Sequence, residues 1–399
     1  MIGLCAVTGL VWSMDLRTTI KCRQVRKLLA AGEIPPALEL AEQVVAANPD
    51  CPECQFLLAK AARRAGDFAK ASAALQLARD ANYSPRKIAF EQVLAAAQSG
   101  QVKSVETELR HIFASDLQPD ETEEIYHALA LGHLAAFDVP EFLKCIDFWL
   151  AWRSEAVIPR QMKAELYARL GEHRSAADQF QAILTEHSDS LPARKGLGDS
   201  LLALNLPTEA EKELRVCYER DSGPQNALAL AKCLVRIDQS DEARSLLEKF
   251  ENTADRVTRA EILEELGRWY LDRQEVDQAF QFLHECIKIA PENFSAWHAL
   301  STAYAMEGQS EKARDALERS LASQQRAQRL FVVANELSHD PTSIVLRLEA
   351  SDIMFQQGMD QDGVSWLRTV LQIDEQNPEA IQRLADYYRR IGAQKLEVQ

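Results

Sequence analysis

Glycine and proline are scarce in this 399-residue chain, 15 and 14 residues, and they fall at intervals rather than in runs. That distribution punctuates helices and leaves no Gly/Pro-rich linker. Histidine is scarcer, with eight residues. None of them stands in an H-x3-H or H-E-x-x-H spacing, so a zinc-hydrolase ligand set is missing. No glycine-rich Lys-Ser/Thr loop is present to cradle a phosphate. Positive charge is in deficit, with 45 Lys/Arg against 60 Asp/Glu and a net charge of -15. The deficit is uneven: residues 1–110 hold 14 Lys/Arg against 11 Asp/Glu, and the rest hold 31 against 49. An acidic body lacks the many Lys/Arg–phosphate contacts that nucleic-acid binding needs, which argues against nucleic acid as the main partner. Eight cysteines are too few and too scattered for a disulfide framework in a chain this long. Cys145, Cys217, Cys233 and Cys286 each stand alone in a helical apolar pattern and are expected to be reduced and buried.

What is abundant is apolar surface, 47% of residues, with an ordinary 26% charged, so the chain is ordered. The opening stretch MIGLCAVTGLVWSM is uncharged and ends at Asp15. As a helix these residues span about 21 Å, short of the roughly 30 Å hydrocarbon core. A secretory signal has basic residues in front and a small-residue cleavage site behind. Here Arg17, Lys21, Arg23, Arg26 and Lys27 all follow the apolar stretch. Three readings stay open for residues 1–14: a buried N-terminal helix, a short membrane anchor, or the end of an anchor that starts upstream. The protein is accordingly placed either in the cytoplasm or tethered to a membrane, with the orientation open.

The strongest signal is periodic. Residues 291–322, PENFSAWHALSTAYAMEGQSEKARDALERSLA, set Trp297, Leu300 and Tyr304 on one helical face, break at Gly308, and resume with Ala313 and Leu317. The preceding unit repeats this with Leu266, Gly267 and Tyr270, then Ala279, Leu283 and Pro291. The small position recurs at Ala37, Ala71, Val105, Phe142, Ala176, Ala210, Ala243, Ala279, Ala313 and Gly363. Successive steps are 34, 34, 37, 34, 34, 33, 36, 34 and 50 residues. Each segment carries apolar residues at i, i+3, i+4 and i+7, hence one buried stripe. A two-helix unit cannot cover both of its stripes alone, and stacking against neighbours completes the core. On this reading Trp297, Tyr304, Tyr270 and Phe180 are packing residues.

The pattern resembles the tetratricopeptide repeat (TPR), W-x2-L-G-x2-Y followed by small and aromatic residues and then proline. The resemblance covers about 17–392, as ten helix pairs and a terminal helix. It implies an all-α fold, a right-handed α-α superhelix or TPR solenoid. The expected organisation is an apolar segment (1–16), a main array (17–321), an extended helix and linker (322–342), a C-terminal repeat with capping helix (343–392) and a tail (393–399). The 50-residue step is read as a second helix prolonged to about Leu337. The stretch FLKCIDFWLAWRSEAV thickens one repeat with Phe142, Phe148, Trp149 and Trp152, as an oversized core or an exposed aromatic anchor.

Motifs that look catalytic read as structure. KGLGDS lacks the third glycine and the preceding strand of a dinucleotide site, and Gly198 falls on the small position of a first helix. EHSDS and LSHDP lie at inter-repeat turns, where polar residues cap helices. In PDCPECQF, Asp50 is the expected N-cap and Pro52 sits in the first turn, with Leu58, Ala59 and Ala62 as the apolar stripe. A redox dithiol would want a preceding strand, a zinc site a second ligand pair, and a c-type haem a histidine where Gln55 stands. Cys54 is expected to pack on the first repeat and Cys51 to be the more exposed.

No catalytic residue, metal or cofactor is expected. The resemblance instead implies a non-catalytic scaffold that binds a protein or peptide in a concave groove lined by the first helix of each pair. Arg23, Arg26, Lys60 and Arg64 would line it near the N-terminus as a basic patch for an acidic segment or anionic lipid. Glu264, Arg268, His298 and Asp352 would line it further on. The Lys/Asn clamp by which some TPR proteins hold chaperone C-termini has no counterpart here. The alternative is a structural or lipid-facing element at a membrane surface, in contact through residues 1–14.

Overall fold

The computed structural model describes residues 16–113, 116–253 and 255–397, so the apolar stretch 1–14 lies outside the described residues. The described residues are all-α, with no strand among them. In the first part of the chain the helices are α1 (Leu16–Ala30), α2 (Ile34–Ala47), α3 (Pro52–Arg64), α4 (Phe68–Asp80), α5 (Pro85–Gln98), α6 (Glu106–Phe113), α7 (Pro119–Ala135) and α8 (Val139–Trp152). Next come α9 (Val157–Arg169), α10 (His173–Glu186), α11 (Leu191–Ala203), α12 (Pro207–Arg220), α13 (Pro224–Arg236) and α14 (Ser240–Leu247). The last are α15 (Arg256–Asp272), α16 (Val276–Ile289), α17 (Phe294–Met306), α18 (Ser310–His339), α19 (Ile344–Gln356), α20 (Asp360–Ile373) and α21 (Pro378–Glu397). They form ten successive pairs and a terminal helix, the periodicity expected from the recurring small residue.

Sequence chemistry starts and stops these helices. Pro52, Pro85, Pro119, Pro207, Pro224 and Pro378 each open one, where a missing N–H costs nothing and the fixed φ suits the helix. Asp67 and Asn293 cap α4 and α17 by accepting the Lys70 and Ala296 backbone N–H, each at 2.9 Å. Ser190 caps α11, which makes the EHSDS stretch a helix start. The turn inside every pair holds one residue at positive φ. It is Gly32, Gly66, Gly100, Gly171, Gly308 or Gly358 in six pairs, and Phe137, Asn205, Asp238 or Gln274 in the others. Two hydrogen bonds close such a turn, as where Gly66 N–H reaches the Arg63 carbonyl and Asp67 N–H the Ala62 carbonyl, each at 2.9 Å.

Packing follows the small positions. Ala37, Ala71, Ala176, Ala210, Ala243 and Ala279 are buried, and Ala313 is half-buried. Gly198 of α11 faces Leu214 of α12, where an added methyl would lie 2.6 Å from Cγ. KGLGDS is therefore a helix-packing site, as expected. The approach is closer at Gly132 of α7, where a methyl would sit 2.0 Å from the Ala97 carbonyl oxygen of α5. Most helices pack mainly on their chain neighbours, and several first helices also touch the first helix of the next pair, α5 packing chiefly on α7.

The chain divides into two compact units between Cys145 and Ile146, within α8. In the N-terminal unit a continuous core runs from Cys22 and Val25 of α1 to Ile88 of α5. The C-terminal unit has cores across α12–α15 and α15–α18, among others. In it α18 extends unbroken for 30 residues, and a methyl added at Gly171, in the α9–α10 turn, would lie 3.1 Å from the Phe331 ring of α18. The aromatics of α8 differ in exposure: Phe142 and Trp149 are fully buried, whereas Phe148 is 66% exposed and Trp152 42%.

Candidate functional site

In the N-terminal unit the charged residues converge on three consecutive first helices, α3, α5 and α7. Arg63 is wholly buried, and its Nε donates to Glu91 of α5. Its Nη1 donates to Gln98 Oε1 at 2.8 Å and its Nη2 to Glu124 of α7 at 2.6 Å. Gln98 answers by donating to the Arg63 carbonyl at 2.8 Å. Burial pushes the Glu124 carboxyl up, but Arg63, Lys60 and Arg64 outweigh it and hold it well below the usual carboxylate range. His127, three residues along α7, is held down to about 4 by burial, with Arg64 adding to the effect.

This network changes the reading of the expected basic patch. Lys60 lies 3.1 Å and Arg64 2.9 Å from Glu124, and Arg26 pairs with Glu53. The fourth residue, Arg23, stands exposed on α1. The patch is thus partly neutralised from within. Arg63, Glu91 and Glu124 were not singled out in the sequence, because partners 28 and 61 residues apart leave no local signature.

The cysteines also depart from expectation. Cys51, not Asp50, is the N-cap of α3; its sulfur accepts the Cys54 N–H at 3.2 Å. Cys51 and Cys54 are joined in a disulfide, and both are buried, 5% and 1% exposed, so the expected contrast in exposure is absent. The expectation of a helix start holds, and the disulfide is a feature it did not include. Cys145, Cys217, Cys233 and Cys286 are buried free thiols, as expected. Among the described residues no group of His, Cys, Asp and Glu is arranged to hold a metal.

In the C-terminal unit three concavities open on first helices. One of about 430 Å³ lies between α9 and α11, where Glu165, Arg169, His173, Lys195 and Asp199 line it. A second, about 480 Å³, lies between α15 and α17 against α18, and Arg268, Asp272, Ser295, His298 and Gln324 line it. A third, about 270 Å³, lies between α19 and α21 with Phe355, Arg383, Tyr387 and Arg390. Arg268 and His298 therefore share one surface. Glu264 is held beside it, accepting the Asn293 side-chain amide at 2.8 Å, with Arg268 3.7 Å away. Asp352 is paired with Arg383 at 3.1 Å, next to the third concavity. Burial pushes the neighbouring Glu265 carboxyl up, against the pull of Arg268.

Tetratricopeptide-repeat profiles match residues 22–102, 162–227 and 270–331, together just over half of the chain. The chain belongs to the tetratricopeptide-repeat family. Among solved structures it is similar to YrrB, described as a TPR protein with an unusual peptide-binding site, at 18% identity over 45% of this chain and 92% of that one, TM-score 0.35. It is similar to the APC/C hetero-tetramer Cut9–Hcn1 at 12% identity, over 93% of this chain and 96% of that one, TM-score 0.37. It is also similar to PilF of Pseudomonas aeruginosa at 16% identity, over 59% and 99%, TM-score 0.37. At these scores the likenesses carry no argument about ligands. No curated protein matches the chain significantly. Among the described residues of this TPR protein, no helix is long and apolar enough to cross a membrane.

Proposed function

We propose that this TPR protein is a non-catalytic scaffold that binds an extended segment of another protein along the first helices of its C-terminal unit. The observation that carries the reading is the recurrence of concavities between successive first helices, α9/α11, α15/α17 and α19/α21. They present both signs of charge beside apolar walls, which suits a peptide with mixed side chains better than a small uniform ligand. A surface already formed before binding does not have to be ordered at the moment of association, so weak contacts accumulate. The decisive measurement is affinity capture from a native lysate with the full chain and with an Arg268→Glu/His298→Ala variant. A partner held by the wild type and lost by the variant supports the assignment; equal recovery by both sinks it.

A second reading rests on α1. Arg17, Lys21, Arg23, Arg26 and Lys27 are all exposed there, and the helix contains no acidic residue. Such a face is attracted to anionic headgroups by about 1 kcal/mol per cation, beside an apolar stretch at 1–14. Flotation with phosphatidylserine-containing vesicles tests it: the wild type floats and the Arg17/Lys21/Arg23→Glu variant does not. If neither floats, the lipid-facing role is abandoned and the scaffold reading is unaffected.

A further inference from the structure

A third sulfur stands beside the Cys51–Cys54 disulfide. Cys22, on α1, places its Sγ 3.8 Å from the Sγ of Cys54. All three cysteines are buried, at 1%, 5% and 1% exposure, within the core that joins α1 to α3. One disulfide and one thiol in contact are the complete set of reactants for an exchange.

We propose that Cys22, Cys51 and Cys54 form a thiol–disulfide exchange centre that switches α3 between a staple of its own first turn and a covalent tie to α1. In the forward step the Cys22 thiolate attacks Cys54 Sγ. A Cys22–Cys54 bond forms, the Cys51–Cys54 bond breaks, and its electron pair leaves on Cys51. The proton lost by Cys22 ends on Cys51. One disulfide and one thiol exist before and after, so the step needs no external oxidant or reductant.

The geometry favours this direction of departure. Exchange is faster when the leaving sulfur is the better stabilised thiolate. Cys51 is the N-cap of α3, where the Cys54 N–H already points at its sulfur at 3.2 Å and the positive end of the helix dipole lies. The attacking group is restrained instead: burial pushes the Cys22 thiol up, and Arg26, one turn along α1, pulls it back only in part. All three sulfurs are buried, so bulk thiols reach them only slowly and the neighbour already in contact is the preferred partner.

The two products differ in what they fasten. The Cys51–Cys54 bond closes the first turn of one helix and leaves α1 held to α3 by packing and the Arg26–Glu53 pair, without a covalent link. The Cys22–Cys54 bond would anchor the basic helix α1 covalently to the second pair.

Disulfide mapping on the full chain tests this. The wild type is held at pH 8.5, quenched in acid, alkylated and digested, and the linked peptides are identified by mass. Both Cys51–Cys54 and Cys22–Cys54 peptides are expected, and the second is lost in Cys22→Ser. In Cys51→Ser, where serine keeps a good N-cap, oxidation by diamide should join Cys22 to Cys54 with loss of two hydrogens. A wild type that yields only the Cys51–Cys54 peptide overturns the proposal, as does a folded Cys51→Ser chain that keeps both thiols.

Discussion

At the scale of the residue, the buried Arg63 ties α3, α5 and α7 of the N-terminal unit together. Its guanidinium serves Glu91, Glu124 and Gln98 at once, each from a fixed direction. Removing one member of a buried ion network costs about 3–5 kcal/mol, because the remaining charges are stranded. Arg63→Leu should therefore lower the unfolding midpoint of the N-terminal unit steeply, followed by urea titration with hydrogen exchange at α3, α5 and α7. Arg63→Lys should recover little, since an ammonium cannot span the three acceptors. His127 gives a pH signature. Its folded value of about 4 lies below the ordinary 6.5, so the unfolded chain takes up a proton first as the pH falls. Stability is thus complete above pH 6.5 and declines as the pH drops toward 4, by on the order of 2–3 kcal/mol. His127→Gln should flatten that slope between pH 7 and 5; an unchanged slope refutes the assignment. Glu124, with its lowered value, adds a separate loss only below the ordinary carboxylate range.

At the scale of the element, the turns and the helix contacts were the most legible features. Glycine at a helix end is a local signal, and it marked six of the ten turns inside the pairs. The other four use Phe, Asn, Asp or Gln, which sequence alone does not distinguish from helix interior. Gln274 is exposed and pays the left-handed cost without a packing return, so Gln274→Gly should stabilise the α15–α16 pair by about 1 kcal/mol. A raised urea midpoint checks this. Gly132 predicts the opposite. An added methyl meets a backbone oxygen of α5, not a flexible side-chain tip, so the two helices must separate. Gly132→Ala should cost about 1–3 kcal/mol, read as faster exchange at α5 and α7. Why the charge network and the disulfide were illegible is also clear at this scale. The network depends on which side of a helix faces the next pair, and Arg63 and Arg64 differ by one residue in sequence but by 100° around the axis. The disulfide is local, between the N-cap Cys51 and Cys54 in the first turn of α3, and that spacing alone does not distinguish a bonded pair from two thiols.

At the scale of the whole molecule, the repeat makes stability a sum of neighbour terms. Leu214 is fully buried between α11 and its neighbours, and Leu214→Ala should cost about 2–5 kcal/mol. Hydrogen exchange should accelerate in α11–α13 and stay unchanged in α19–α21. Uniform acceleration throughout the C-terminal unit would show that its pairs do not act as separate neighbours. The charge distribution works at this scale too. The acidic excess lies after residue 110, so the negative field of the chain comes mainly from its later repeats.

The contact between Phe331 and Gly171 departs from that neighbour logic. It closes a circuit of about 160 residues inside the C-terminal unit, whereas repeat folding otherwise proceeds through short circuits that close quickly. A long circuit pays its closure entropy once, and only after the intervening pairs have stacked. During synthesis the α9–α10 turn emerges and folds long before α18 exists. The Phe331 ring reaches that turn only once α18 is made, and there it stays 47% exposed, so the contact forms late and leaves part of the ring uncovered.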